Sequence, residues 1–162
     1  MRIAGVHAKG GRIYLAVLEI QSGETGWGKP VAGSVGRFEM NTNLGEAAQL
    51  SDLTDRVRQH LSGHKVERVA LVETRSFANW KYADAYARVI VISAVMASCN
   101  ALGLSFVTVK TNAIAKSVGV SADKLQTVPA KDFGYEKNPT YWTTGLADAF
   151  AVAKHDALSV KP

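Results

Sequence analysis

The sequence predicts an α/β fold built on a mixed five-stranded sheet, three antiparallel strands followed by two parallel ones, with helices on both faces. Three observations lead there. The chain opens with strand-like runs at Arg2 to His7, Arg12 to Ile20 and Val31 to Met40, separated by turn-forming residues. Its hydrophobic period then changes, with Leu50, Leu53, Val57 and Leu61 recurring at helical spacing. Finally, the apolar runs Val66 to Glu73 and Leu104 to Val109 each follow a helical stretch, and such crossover connections go with parallel pairing.

Each element has a local reason. Gly10-Gly11 predicts a tight hairpin between the first two strands. Gln21 to Pro30 holds three glycines and a proline and reads as a longer loop, so the first three runs form an antiparallel meander. The helix through Leu50 to Leu61 ends at Ser62-Gly63, and Val66 to Glu73 is short and apolar enough for a buried strand. Tyr82 to Leu102 reads as a long helix stopped by Gly103 before the fifth strand. A short helix is expected at Asn112 to Ser117, and another near Ser121, which suits an N-cap. Pro129 to Trp142, rich in Gly, Pro, Asn and charge, reads as a loop. Thr143 or Thr144 is then expected to cap a last helix running to about Leu158.

A chain of 162 residues, 47% hydrophobic and 20% charged, matches one folded domain spanning 1–162. Nineteen Lys and Arg against fourteen Asp and Glu give a net charge of +5, which suits a polyanionic partner or an indifferent basic surface. The lone Cys99 excludes an intramolecular disulfide and a cysteine-built zinc cage. Arg88 and Asn100 interrupt the longest apolar stretch, and the first residues lack a signal-peptide pattern, so no membrane partner and a cytoplasmic location are expected. Glycine-rich phosphate loops and a nucleophile elbow are missing, which argues against a nucleotide cofactor.

In mixed sheets ligands gather beyond the carboxyl ends of the parallel strands. His7 closes the first strand, Glu73 closes the fourth, and Asp148 falls in the first turns of the last helix. If the first and fourth strands are neighbours and the last helix crosses their ends, these three make a carboxylate-rich metal site. His155, seven residues after Asp148, is about two helical turns on and shares its face, so it is a further candidate ligand.

The residues at these positions carry a resemblance. Ile3-Ala-Gly-Val-His7-Ala-Lys-Gly10, Ala70-Leu-Val-Glu73, Ala122-Asp-Lys124-Leu-Gln126 and Asp148-Ala-Phe-Ala-Val-Ala-Lys-His155 resemble, in order, the motifs of the RuvC-type Holliday junction resolvases of the RNase H-like superfamily. The resemblance implies an RNase H-like fold and a metal-dependent endonuclease that cuts branched DNA as a homodimer. It also implies Glu73 and Asp148 as ligands of a divalent cation, Mg²⁺ or Mn²⁺, with His7 and His155 as possible partners in binding it. Two positions depart from the family pattern: His7 stands where an Asp is usual, and Gly145 where a second Asp precedes Asp148 by three residues. Imidazole favours Mn²⁺ or Zn²⁺ over Mg²⁺, so His7 with Glu73 and Asp148 still makes a chemically coherent catalytic set.

The losses equally suit a catalytically degenerate domain that binds nucleic acid or a protein without cleavage, and an actin-like small-ligand domain is a more remote alternative. Plainer roles exist for each residue. Glu73 could pair with Arg75, Asp148 could favour its helix N-terminus, His155 could favour a helix C-terminus, and His7 could be a hydrogen-bonded strand-end histidine. Nucleic acid would be held by Lys9 and Arg12 at the hairpin, Arg75 and Lys81 after the fourth strand, and Lys110, Lys116 and Lys124 after the fifth. Phe77 and Trp80 offer stacking or core-packing rings. Tyr86, Val89, Ile90 and Ser93 form a stripe on the long helix that is core or a subunit contact.

Overall fold

The computed structural model describes residues 1–21, 26–75 and 79–160 of the chain. Strands β1 (Arg2–Lys9) and β2 (Arg12–Glu19) form the expected hairpin, and Gly10 turns it at a φ of 59°, a left-handed conformation that costs glycine little. Their register sets Ile3 against Leu18, Gly5 against Ala16 and His7 against Tyr14. The third strand, expected as one run from Val31 to Met40, is two short pieces on the outer edge of β2: β3 (Lys29–Pro30) and β4 (Gly36–Glu39). Between them the buried Ser34 hydroxyl accepts a hydrogen bond from the Val17 N–H at 3.2 Å. A side chain thus fills the rung that backbone would have filled, which hydrophobic alternation does not reveal.

Beyond β4 come α1 (Glu46–Gly63), β5 (Arg68–Val72), α2 (Tyr82–Leu102), β6 (Ser105–Val109), α3 (Thr111–Val118) and α4 (Ala147–Ser159). The sheet order is β3-β2-β1-β5-β6, with β4 also on β2, and β1, β5 and β6 run parallel. Alternation divides the core in two. Ala4, Val6, Ile13, Leu15, Val17, Val69 and Leu71 point to the face covered by α1 and α2. Ile3, Tyr14, Ala16, Leu18, Ala70 and Val72 point to the face covered by α3 and α4.

Several expectations change at the helices. By length and composition α2 is apolar enough to cross a membrane, despite Arg88 and Asn100; here its Val91, Ala94, Val95 and Cys99 pack into the core. The helix expected at Ser121 is only a 3₁₀ turn at Leu125–Thr127. Neither Thr143 nor Thr144 caps the last helix. Trp142–Leu146 forms a wide turn, Gly145 has non-helical φ/ψ, and α4 begins at Ala147 without a side-chain cap. Packing sets this boundary, because a Cβ on Gly145 would stand 2.6 Å from Cε2 and 2.8 Å from Cγ of Tyr14. The preceding loop is ordered by its rings: Trp142 donates through Nε1 to the Val128 carbonyl at 2.8 Å, and Phe133 packs on Phe150.

Helix α4 lies unusually close to β1. A Cβ on Gly5 would run into the Ala149 carbonyl oxygen and stand 2.9 Å from the Ala153 Cβ. At the opposite end, the Arg68 guanidinium grips the buried Asp156 carboxylate with two hydrogen bonds, at 2.5 and 3.0 Å. These contacts fix the height and direction of α4 over the sheet. We expect Gly5→Ala to destabilise the fold by about 3 kcal/mol, the upper end for overpacking a core, because backbone on both sides must move. Urea denaturation of the two proteins measures this, and a change below about 0.5 kcal/mol would contradict the packing account.

Candidate active site

Parallel pairing of β1 with β5 ends at Val6 and Leu71, so His7, just past that ladder though β1 runs on to Lys9, comes near Glu73 just past β5. Residue 7 shares the face of Ile3 and Gly5, the face on which α4 lies, and Asp148 sits in the first turn of α4. A cavity of about 200 Å³ forms there, lined by His7, Glu73 and Asp148 together with Arg75, Arg88 and Asp123. His7, Glu73 and Asp148, expected to converge, thus line one cavity.

His155 is elsewhere. Its Nδ1 lies 2.7 Å from the Ser117 hydroxyl of α3, and it does not line the cavity. Two helical turns separate it from Asp148, about 10 Å along the axis, so a shared helix face does not bring both to one cation. This corrects its candidacy as a ligand of the same ion.

The electrostatics of the cavity follow from burial. Desolvation, with the nearby charges of Arg88 and Lys9, pushes the His7 imidazole down to about 3, so it is neutral at physiological pH. Its Nδ1 is buried with no hydrogen-bond partner. Burial pushes Asp148 up to about 6, against the lowering effects of a hydrogen bond from its own backbone N–H and of Lys9. Asp123 is exposed, and the Ser121 hydroxyl, its own backbone N–H, Lys124 and Arg75 hold it below the usual carboxylate range. Among the described residues neither Glu73 nor Asp148 has an ion-pair partner, and Arg75 bonds Asn112 at 3.3 Å instead of Glu73.

This donor set fits a divalent cation in kind. Two oxygen acids without counter-ions and a neutral imidazole with an orphaned nitrogen are what a borderline cation would satisfy. Among the described residues, no three His, Cys, Asp or Glu side chains are already gathered as a ligand cluster, so a cation would have to draw Glu73 and Asp148 inward. Gly145 adds nothing, and the Tyr14 ring occupies the space an acidic side chain there would need.

The expected nucleic-acid contacts separate into groups. Lys9, Lys81, Lys110 and Lys124 are exposed near the strand ends, and Arg75 lines the cavity itself. Arg12 is engaged with Glu39 at 3.1 Å. Lys116 is in the last turn of α3, beside the Ser117 that bonds His155, and so at the far end of α4 from Asp148. Trp80 is half-buried under the Arg88 guanidinium, 5.1 Å from its ring centre. Phe77 lies outside the described residues. Sequence reasoning missed Arg88, which looks like an interruption in an apolar helix. It also missed Asp123, although that residue stands inside the quoted Ala122-Asp-Lys124-Leu-Gln126 segment.

No protein-family model matches the sequence, and no curated protein does at a significant level. Solved structures do match. RuvC of Thermus thermophilus in complex with a Holliday junction substrate aligns with a TM-score of 0.76 at 17% identity, over 97% of this chain and 93% of that one. The fold is that of the RuvC-type resolvases. The yeast mitochondrial Holliday junction resolvase aligns at 0.64 with 8% identity, over 96% of this chain and 77% of that one. Fowlpox virus resolvase, in complex with substrate Holliday junction DNA, aligns at 0.54 with 11% identity, over 98% and 99%. The RNase H-like architecture expected from the ordered motifs is thereby shown, and with it a likeness of fold to the RuvC-like nucleases.

Burial of Asp148 has a thermodynamic sign. Its native value, about 6, is above the ordinary 3.8, so between these pH values the native state binds more protons than the unfolded chain. Stability therefore falls as pH rises through that window, and the deficit, about 3 kcal/mol at most, is complete above pH 6. Asp148→Asn should raise the melting temperature by several degrees at pH 8 and by nothing near pH 4. The His7 contribution has the opposite sense, costing stability as pH falls below 6.5, but it is common to both proteins and cancels in the difference. Parallel thermal melts at the two pH values check this.

Proposed function

We propose that this protein is a divalent-cation-dependent endonuclease that cleaves phosphodiesters in branched DNA, four-way junctions above all. The observation that carries the reading is the half-buried Asp148 carboxylate, which among the described residues forms no ion pair and lines one cavity with Glu73 at the ends of β1 and β5. Desolvating an acid without an ion-pair partner is costly, and such positions persist where a ligand neutralises them. The neighbours whose structures were determined with Holliday junctions support the choice of substrate class.

In this reading Glu73 and Asp148 hold the cation, with neutral His7 as third ligand. When bound, the cation supplies an activated water and a counter-charge for the oxygens of the scissile phosphate. Glu73, one residue beyond β5, is positioned by the strand's pairing with β1 and β6. The close packing of α4 on Gly5 holds Asp148 at the matching height. Tyr14, the cross-strand partner of His7, packs against Gly145. Exposed Lys9, Lys81, Lys110 and Lys124, with Arg75, neutralise backbone phosphates and orient the DNA without reading its sequence.

A second reading, a DNA-binding domain that no longer cleaves, is favoured by one observation: the Tyr14 ring closes the space at Gly145 against another acid. The two readings part on a labelled four-way junction, a plain duplex and an RNA/DNA hybrid, each incubated with Mg²⁺ or Mn²⁺. We expect junction cleavage, fastest with Mn²⁺, that Glu73→Gln lowers about a hundredfold or more while binding persists. Junctions that bind and stay intact with either ion would support the second reading.

A two-fold junction calls for a two-fold protein. Helix α2 exposes Tyr82, Tyr86, Val89 and Met96, a stripe at helical spacing that a second copy of the chain would cover. Light scattering is expected to give twice the chain mass of 17.4 kDa, and Val89→Glu to halve it. A wild-type monomer at tens of micromolar would remove the homodimer from the proposal.

A further inference from the structure

Arg88 is a cavity residue that the cation reading leaves without a task. It projects from the second turn of α2, an otherwise apolar helix, and only 9% of it is exposed. Its Nε donates to the Ala8 carbonyl at 2.9 Å, and its Nη2 donates to the same oxygen. The Trp80 ring supports its guanidinium from one side. These contacts fix the group in place but leave its charge unanswered. Among the described residues no carboxylate pairs with it, and desolvation alone pulls it below the ordinary arginine value, with no opposing acid. Among the described residues Nη1 makes no hydrogen bond, and Arg88 is one of the residues that line the cavity.

Burying a guanidinium without a counter-ion is among the more costly arrangements in a protein interior. The neighbouring acids do not relieve it. Glu73 and Asp148 line the same cavity yet stand outside ion-pair distance of it, and the titratable group it influences is His7. A site with carboxylates on one side and a rigid, unpaired guanidinium on the other has two polarities. The acid side suits a cation, whereas the Arg88 side repels one and suits an anion.

We propose that Arg88 forms an anion subsite in the floor of this cavity and holds a non-bridging oxygen of a phosphate group through Nη1. The anion supplies the counter-charge the protein withholds, and the guanidinium, already fixed by Ala8 and Trp80, loses little freedom in binding it. If the nuclease reading holds, the phosphate is the scissile phosphodiester, set between the cation at Glu73 and Asp148 and the guanidinium. That last step rests on the proposed function, whereas the anion subsite itself does not.

The test separates the two. Inorganic phosphate is titrated into the full-length protein without DNA while the Arg88 Nε–Hε signal is followed by NMR, beside Arg88→Lys and Arg88→Gln. For the variants, which lack that signal, phosphate protection against thermal unfolding is read instead. A saturable shift in the wild type, protection weakened about tenfold in Arg88→Lys and abolished in Arg88→Gln, is expected. No saturation in folded wild type by tens of millimolar phosphate overturns the subsite, as does equal protection of wild type and Arg88→Gln. A purely structural Arg88 would lower the melting temperature of Arg88→Gln and leave the phosphate response intact. With junction DNA, Arg88→Gln should slow cleavage more than it weakens binding. Phosphate binding without any junction binding would leave the subsite standing and remove the nuclease reading, and unchanged cleavage in Arg88→Gln would overturn the assignment to the scissile phosphate.

Discussion

The close approach of α4 to β1 is the constraint on which the site depends. Gly5 presents no Cβ, so the backbone of α4 at Ala149 settles against the strand, with the small Ala153 one turn later. An ordinary side chain at residue 5 would hold the helix off by its own thickness, and Asp148, one residue before Ala149, would rise out of the cavity with it. The Arg68–Asp156 clamp at the other end of the helix prevents it from tilting instead. Helix position and ligand position are thus a single geometric fact.

That constraint also explains the electrostatic character of the cavity. Pressed against the sheet, Asp148 loses more to lost water than the charge of Lys9 returns, which raises its affinity for protons and leaves it a carboxylate that a divalent ion could satisfy. His7, on the same face, loses its charge for the same reason. Arg88 cannot lose its charge as readily, since guanidinium deprotonates only at very high pH, and so it remains as a fixed positive group beside two acids. Burial thus sorts the three groups into a neutral base, an acid tuned towards neutrality and a permanent cation.

The departures from the resolvase pattern have structural counterparts. Gly145 is more than a missing acid, because the Tyr14 ring occupies the volume an acid would need, and the chain around it has adopted a wide turn in place of a first helical turn. Tyr14 is in turn the cross-strand partner of His7. The two altered positions are therefore neighbours through one ring, and they form a connected rearrangement of one side of the site.

The sequence by itself determined the order of elements, the hairpin at Gly10-Gly11, the limits of α2 and the alternation that divides the core into two faces. These are local: period, turn chemistry and glycine stops act within a few residues, so they are legible without the fold. The sequence also marked Glu73 and Asp148, since an acid closing an apolar strand or opening an apolar helix stands out. Only the tertiary structure decided the rest. Ser34 breaking the third strand, Tyr14 delaying α4 to Ala147 and Ser117 drawing His155 away are contacts between residues far apart in the chain, and no local pattern encodes them. Arg88 shows the physical reason most directly: in the sequence it is a charge spoiling an apolar helix, and it gains meaning only where folding strips its water beside His7 and gives it no acid in exchange.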